Sequence, residues 1–233
     1  MIKKQNKFLG FCFMMFLFSC LFSSGCGIVS VIGTPSSSEQ KIKAQFPLSS
    51  YKNEKILVFV DQPGWLTAPL LLRDMVSEGI NSSLIQLAKV NSSQVVPYRT
   101  LADFRSKRQD FSVMSPAEVA KLLGADLLLL VQLDSYNLST IEETNYYNGS
   151  LGAQAALIET KSGRQLWPVQ TQARNILVGF EIARTSPEGA LGRLANGLAH
   201  CVTRYFYDCP YKRFKIADDR TDTGFDSWDN PEF

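Results

Sequence analysis

Residues 127–131 read LLLLV, apolar at every position. A strand with one solvated face alternates apolar and polar residues, and a run without alternation is buried on both faces. The surrounding stretch, KLLGADLLLLVQLD (121–134), reads as a helix ending at Leu123, a corner at Gly124 and a strand over 126–133. Such a strand belongs in the middle of a sheet with helices over both faces. The chain is therefore expected to be an α/β protein: a mixed β-sheet of about five strands with helices packed on its faces, in a single domain.

The other elements follow from local pattern. KILVFV (55–60) is the first strand. From Leu72 the apolar positions Met75, Val76, Ile80, Leu84 and Leu87 have helical spacing, with Thr67 as the expected cap and Pro69 in the first turn. Gly79 inside that helix costs about 1 kcal/mol relative to Ala. Residues 94–98 read as a second strand and 100–107 as a short polar helix or loop. Ser115 and Glu118 have the spacing of a capping box with Pro116 at the first helical position. Beyond Asp134 the texture changes, and 136–147 is polar and aromatic with poor alternation. Residues 149–160 read as a strand, 161–164 as a turn, and 165–178 as its hairpin partner, interrupted by Pro168. The last helix, 186–207, is capped by Ser186 and buries Leu191, Leu194, Ala195, Leu198, Val202 and Tyr205. The domain is expected over 55–211. Residues 212–233 are expected to be a disordered acidic tail.

The first 54 residues have another character. Residues 1–7 carry three lysines and no acid. Residues 8–22 are an apolar run of about 15 residues, short of the roughly 20 that span a bilayer and suited to the core of a signal peptide. Next comes SSGCG (23–27). Small residues followed by Cys resemble the lipobox of bacterial lipoproteins, in which the peptidase cuts before the Cys and its sulfur carries a diacylglycerol. The resemblance implies a signal peptide over 1–25 and lipid attachment at Cys26. Ser23 stands where that family prefers Leu. Cys20 is the rival site, with Leu17 in its favour and bulky Phe18 against it; an ordinary secretory signal or an uncleaved anchor is the other reading. Gly27 is not the acidic residue that retains many lipoproteins in the inner membrane, which implies an outer-membrane protein facing the periplasm. Residues 26–54, Ser-rich at first, read as a lipid-anchored flexible tether whose far end docks through Phe46, Leu48 and Tyr51.

The whole chain carries a formal +2, and Lys3, Lys4 and Lys7 fall in the leader, so the rest is close to neutral. No basic stripe marks a nucleic-acid-binding protein. With one His in the chain, a His-rich metal site is excluded, and no cofactor pattern is present: the glycines never form a phosphate cradle after a strand.

The order strand, helix, strand, helix–Gly-Ala-Asp–strand, hairpin, helix resembles a group of envelope lipoproteins. The resemblance is carried by ILVFV (56–60), SPAEVAKLLGADLLLLVQL (115–133) and ALIETKSGRQLW (156–167). The group includes the curli-secretion lipoprotein CsgG and the lipoprotein activators of peptidoglycan synthases, with a core similar to the amino-terminal domain of TolB. It implies a non-enzymatic cell-envelope accessory or assembly factor that binds an envelope protein partner, with a homo-oligomer compatible. The alternative within the group is a subunit of a curli-type secretion complex. Its pores need long amphipathic hairpins, and 136–147 lacks the alternation.

Three places bear on chemistry. Asp61 and Asp134 are each expected to follow a strand at its carboxyl end, where open α/β sheets bind ligands. Paired as acid and base they would make the chain a periplasmic hydrolase; the simpler reading is two turn residues. His200 and Cys201 are neighbours on a helix, where consecutive side chains point about 100° apart, so a surface imidazole and a core thiol are expected rather than a dyad. A continuous helix would hold Cys201 and Cys209 about 12 Å apart, and a disulfide requires the chain to fold back between them. Trp65, in the loop QPGWL (62–66), is the candidate partner-binding aromatic, since Trp is enriched at binding hot spots; the other reading has it cover the next helix. Trp167 is expected in the core.

Overall fold

The structure is a computed structural model that describes residues 40–141, 146–183 and 185–215. The expected signal peptide, Cys26 and the expected tail beyond residue 215 lie outside the described residues. From Lys41 onward the described residues form one compact unit.

Five strands form its main sheet. β2 (Ile56–Asp61) lies parallel to β3 (Leu127–Ile141), in register from Ile56 opposite Leu127 to Asp61 opposite Gln132. β3 is antiparallel to β4 (Tyr146–Glu159). β5 (Gln165–Trp167) and β6 (Arg174–Ala183) both pair with β4, β5 near its end and β6 along its first ten residues. The α/β architecture with a mixed sheet is thus the one expected.

Residues 127–131 behave as their composition demands. Leu127, Leu129, Val131 and Leu133 face an inner core with Ile56, Val58 and Val60, beneath helices α1 (Leu70–Gln86) and α4 (Pro187–Thr203). Leu128 faces an outer core with Leu57, Phe59, Leu101 and Val119, beneath α2 (Tyr98–Lys107) and α3 (Pro116–Leu122). Two helical layers on one strand leave it no polar position before Gln132. Burying each leucine contributes roughly 1.5–3 kcal/mol.

Helix ends follow local chemistry. Ser115 and Glu118 form the capping box, and Ser186 accepts from the Gly189 amide at the start of α4. Gly124, at φ 67°, makes the corner before β3. Thr67 does not cap α1: the helix starts after Pro69 with no side-chain cap. Gly79 is explained by packing, since a Cβ there would sit 3.0 Å from Ala199 Cβ where α1 crosses α4.

Four expectations change. The second strand at 94–98 reduces to a single parallel bridge, Val95 to Ile56, because Pro97 has no N–H to extend a ladder and α2 begins at Tyr98. β3 does not stop at Leu133. A bulge at Asp134 shifts the register, and the strand runs on to Ile141, paired with 146–152. The expected single partner 165–178 is split at Pro168 into β5 and β6, and β6 pairs with the far half of β4. The stretch expected to be a tether is packed from Lys41 onward. β1 (Lys41–Ile42) pairs with β7 (Cys209–Pro210), Leu48 is buried, and the Gln45 and Phe46 amides donate to the Tyr205 carbonyl. Tyr211–Lys215 form a short helix, α5.

The amino end of β2, with β1, β7 and the docked segment, is the foot of the molecule. The carboxyl end of β2, where α1 begins, is its apex.

Candidate partner-binding surface

Asp61 and Asp134 lie on neighbouring strands in different settings. Asp61 is the last residue of β2, opposite Gln132. It lies near the Arg105 guanidinium and favours its charged form, against the burial that lowers the Arg105 pKa. That guanidinium stacks 4.9 Å from the Phe111 ring centre and 5.7 Å from that of Phe59. Asp134 does not follow a strand: it is the bulge residue inside β3. Its Oδ1 accepts from Ser135 Oγ at 3.1 Å and lies over Gly152 of β4, where a Cβ would collide with both groups. The carboxylates thus face different neighbours, Arg105 on one side of β3 and Gly152 on the other. Neither is the turn residue of the simpler reading: Asp61 closes β2 and Asp134 sits in the bulge of β3.

His200 is not on the surface. It is 5% exposed, and its Nε2 lies 3.0 Å from the Arg213 carbonyl. After α4 the chain folds back through β7 and α5, so the face of α4 expected to be solvated is covered. Burial pushes the imidazole down to about 4. Cys201 is buried as expected, and Cys209 is buried as well; both are free thiols, although the chain does turn back between them. Burial raises the Cys209 thiol pKa, and its Sγ lies 3.6 Å from the Tyr207 hydroxyl. Trp167 is in the core, its Nε1 donating to Gln45 Oε1 at 2.9 Å.

Trp65 is different. It is 68% exposed, in the loop between β2 and α1. The loop is tightly turned: the Leu66 amide donates to the Pro63 carbonyl, the Ala68 amide to the Leu66 carbonyl, and Gln62 Nε2 to the Ala68 carbonyl at 2.9 Å. Leu66 is tucked against the inner core. The two residues that start α1, Leu70 and Leu71, are 71% and 50% exposed. Three large apolar side chains are thus exposed within seven residues of sequence, one on a loop already held in shape and two on the first turn of α1.

Leu70 and Leu71 are missed by a reading of helical periodicity, which assigns only Leu72 to the core. The signal is nevertheless present in PLLLRD (69–74). Consecutive helical side chains point about 100° apart, so three successive leucines cannot all face one core. Beside them Arg73 pairs with Asp74 at 3.2 Å, and burial together with a hydrogen bond to Asp74 raises the Tyr98 hydroxyl pKa.

Among the described residues no group of three or more His, Cys, Asp or Glu side chains can hold a metal ion. Among the same residues no helix is long and apolar enough to cross a membrane.

No protein-family model matches the sequence, and no curated protein matches it. Solved structures with a similar fold include lipoprotein GNA1162 from Neisseria meningitidis, at 18% identity and TM-score 0.38, covering 62% of this chain and 94% of that one. A PelC dodecamer from Paraburkholderia phytofirmans matches at 11% identity and TM-score 0.40, over 72% of this chain and 94% of that one. The LpoB C-terminal domain from Salmonella enterica matches at 14% identity and TM-score 0.32, over 61% and 96%. Likeness at this level is partial, and no role of those proteins transfers through it.

Proposed function

We propose that this chain is an exported lipoprotein, anchored through Cys26 to the outer membrane and facing the periplasm. There it serves as a non-enzymatic envelope accessory or assembly factor that binds a protein partner at its apex. The observation that carries the binding role is the exposed trio Trp65, Leu70 and Leu71. Large apolar side chains grouped on a pre-shaped surface are what a partner's pocket takes up, at little ordering cost. The anchor is supported by the leader and the SSGCG sequence. The two ends are compatible: the described chain starts at the foot, so attachment there leaves the apex facing away from the attachment point.

The test places a photoreactive amino acid at position 65, 70 or 154 of the full chain in its own cells. Position 154 is exposed on the outer face of β4, level with the end of β2 but two strands away from it and on the face opposite α1. Illumination should give a discrete adduct from 65 and 70, none from 154, and loss of both when Leu71→Asp is added. Absence of adducts at 65 and 70, or the same adducts from 154, would overturn the binding role.

A further inference from the structure

Lysines are unevenly placed in this molecule. Among those whose side chains are described, every one except Lys107 lies at the foot. Lys41 is opposite Pro210 in the β1–β7 pair. Lys43 reaches Asp208 at 2.8 Å. Lys52 and Lys89 line one shallow cleft of about 250 Å³, together with Tyr51, Val90, Asn91 and Gln94. The Lys55 amide donates to Asp126 Oδ2, and Lys161 reaches Asp126 Oδ1 at 3.4 Å. Lys121 ends α3 just before β3 begins. Four carboxylates stand among these lysines: Glu54, Asp126, Glu159 and Asp208. Asp126 and Asp208 are held by the contacts just given, and Glu159 accepts from the Ser162 hydroxyl and lies 4.0 Å from Arg164.

Carboxylates prevail at the other end. Asp61, Asp74, Glu78, Asp134, Glu181 and Glu188 lie along the upper half of the sheet and the first turns of α1 and α4, with Arg73, Arg105 and Arg193 among them. A chain close to neutral overall is thus polarised along the sheet, positive at the foot.

We infer that the foot lies against an anionic phospholipid surface, its lysines facing the headgroups, so that the apex points away from the membrane. Charge complementarity carries this choice of occupant, and so does the path of the chain. Lys41 is at the foot, and Cys26 lies 15 residues before it in sequence. Were those residues the flexible tether expected from the sequence, they would span roughly 20 Å, enough for the foot to reach the surface. Lysines held near an anionic leaflet are attracted to it, and the attraction falls off within a Debye length, about 8 Å at physiological salt. The inference rests on the proposed lipid at Cys26 for its geometry, but its charge term acts without that lipid.

The test uses the full chain purified from membranes and incorporated into vesicles of phosphatidylcholine alone, or of phosphatidylcholine with about one-third phosphatidylglycerol. Lysines are acetylated briefly with an N-hydroxysuccinimide ester and quantified by mass spectrometry. Labelling of Lys52, Lys89 and Lys161, all exposed in the structure, should fall several-fold in the anionic vesicles. It should recover in about 0.5 M salt, where the Debye length is a few ångströms. Lys107 should label equally in both. Introducing Lys52→Glu and Lys89→Glu together should reduce the protection of Lys161. Equal labelling of the three lysines in both vesicle types would overturn the inference, and so would an equal fall at Lys107. A protein that floats only with anionic vesicles at low salt, with the three lysines protected, would uphold it and overturn the anchor. A protein that floats with neither would overturn both.

Discussion

His200 shows how a single side chain can be misplaced by its own helix. On α4 it shares a face with Arg193, Gly197 and Arg204, which by periodicity alone is the solvated side. Residues 205–214 then return across that face, with the Arg213 carbonyl at the imidazole and the Phe214 carbonyl accepting from Arg204 Nη1. Helical spacing reports what a helix could bury against one neighbour; it carries no information about a second cover supplied later in the chain. The burial has a consequence for pH. The unfolded chain takes up the His200 proton near 6.5 and the folded one only near 4. Stability from the neutral imidazole is therefore complete above about pH 6.5 and is lost as the pH falls towards 4. By pH 5 the loss should be on the order of 2 kcal/mol. Urea midpoints at pH 7 and pH 5 should show it in the parent chain, and His200→Asn should remove most of that difference. An unchanged difference in the variant would mean other groups set it. Gly79 makes a second case at this scale. With Ala199 Cβ 3.0 Å from its virtual Cβ, Gly79→Leu should cost at least the 1–3 kcal/mol of an overpacked core, measured as a fall in the unfolding midpoint.

Among the elements, β3 was the most legible in one half and the least in the other. Its first half is covered on both faces, so 127–131 had to be apolar throughout, and the fold class followed from that. Its second half is covered only on the inner face, which should have produced simple alternation. It does so over Ser135–Ser139, with the parity reversed by the bulge at Asp134. Odd residues point inward up to Leu133, and the even ones Tyr136 and Leu138 do so beyond it. Within 136–147, Tyr136 and Leu138 alternate with Asn137 and Ser139, but the polar Thr140, Glu142 and Thr144 share their parity and mask the pattern. The partner strand is legible at 149–160 even though its inner face is built from Gly149, Ala153 and Ala155 beside Leu151 and Leu157. The Gly149 Cβ position is already occupied by the Leu194 side chain. The two-sided burial is testable. Leu128→Ala and Leu129→Ala remove side chains from opposite cores, and each should cost 2–5 kcal/mol by the usual range for core truncation, roughly. Gln132→Ala, exposed on the same strand, should stay within about 0.5 kcal/mol. Denaturant melts of the three variants decide it; one of the two leucines behaving like Gln132 would contradict the layered arrangement.

At the scale of the whole molecule, the apex and the foot are surfaces that the sequence displayed only in part. Trp65 stood out by type, and Leu70 and Leu71 joined it only once α1 had a direction. The lysines of the foot are spread from Lys41 to Lys161 and meet only in the folded chain. Because Trp65 is 68% exposed, Trp65→Ala should leave the unfolding midpoint within about 0.5 kcal/mol of the parent while abolishing the adduct expected from position 70. That separates a binding role from a structural one. The picture of a foot on the membrane and an apex reaching a partner depends most on the lipid at Cys26. Metabolic labelling with palmitate, followed by isolation of the parent chain, Cys26→Ser and Cys20→Ser, tests it directly. The account predicts label in the parent and in Cys20→Ser, and none in Cys26→Ser, which should also keep its leader and run larger. Label retained in Cys26→Ser would contradict it.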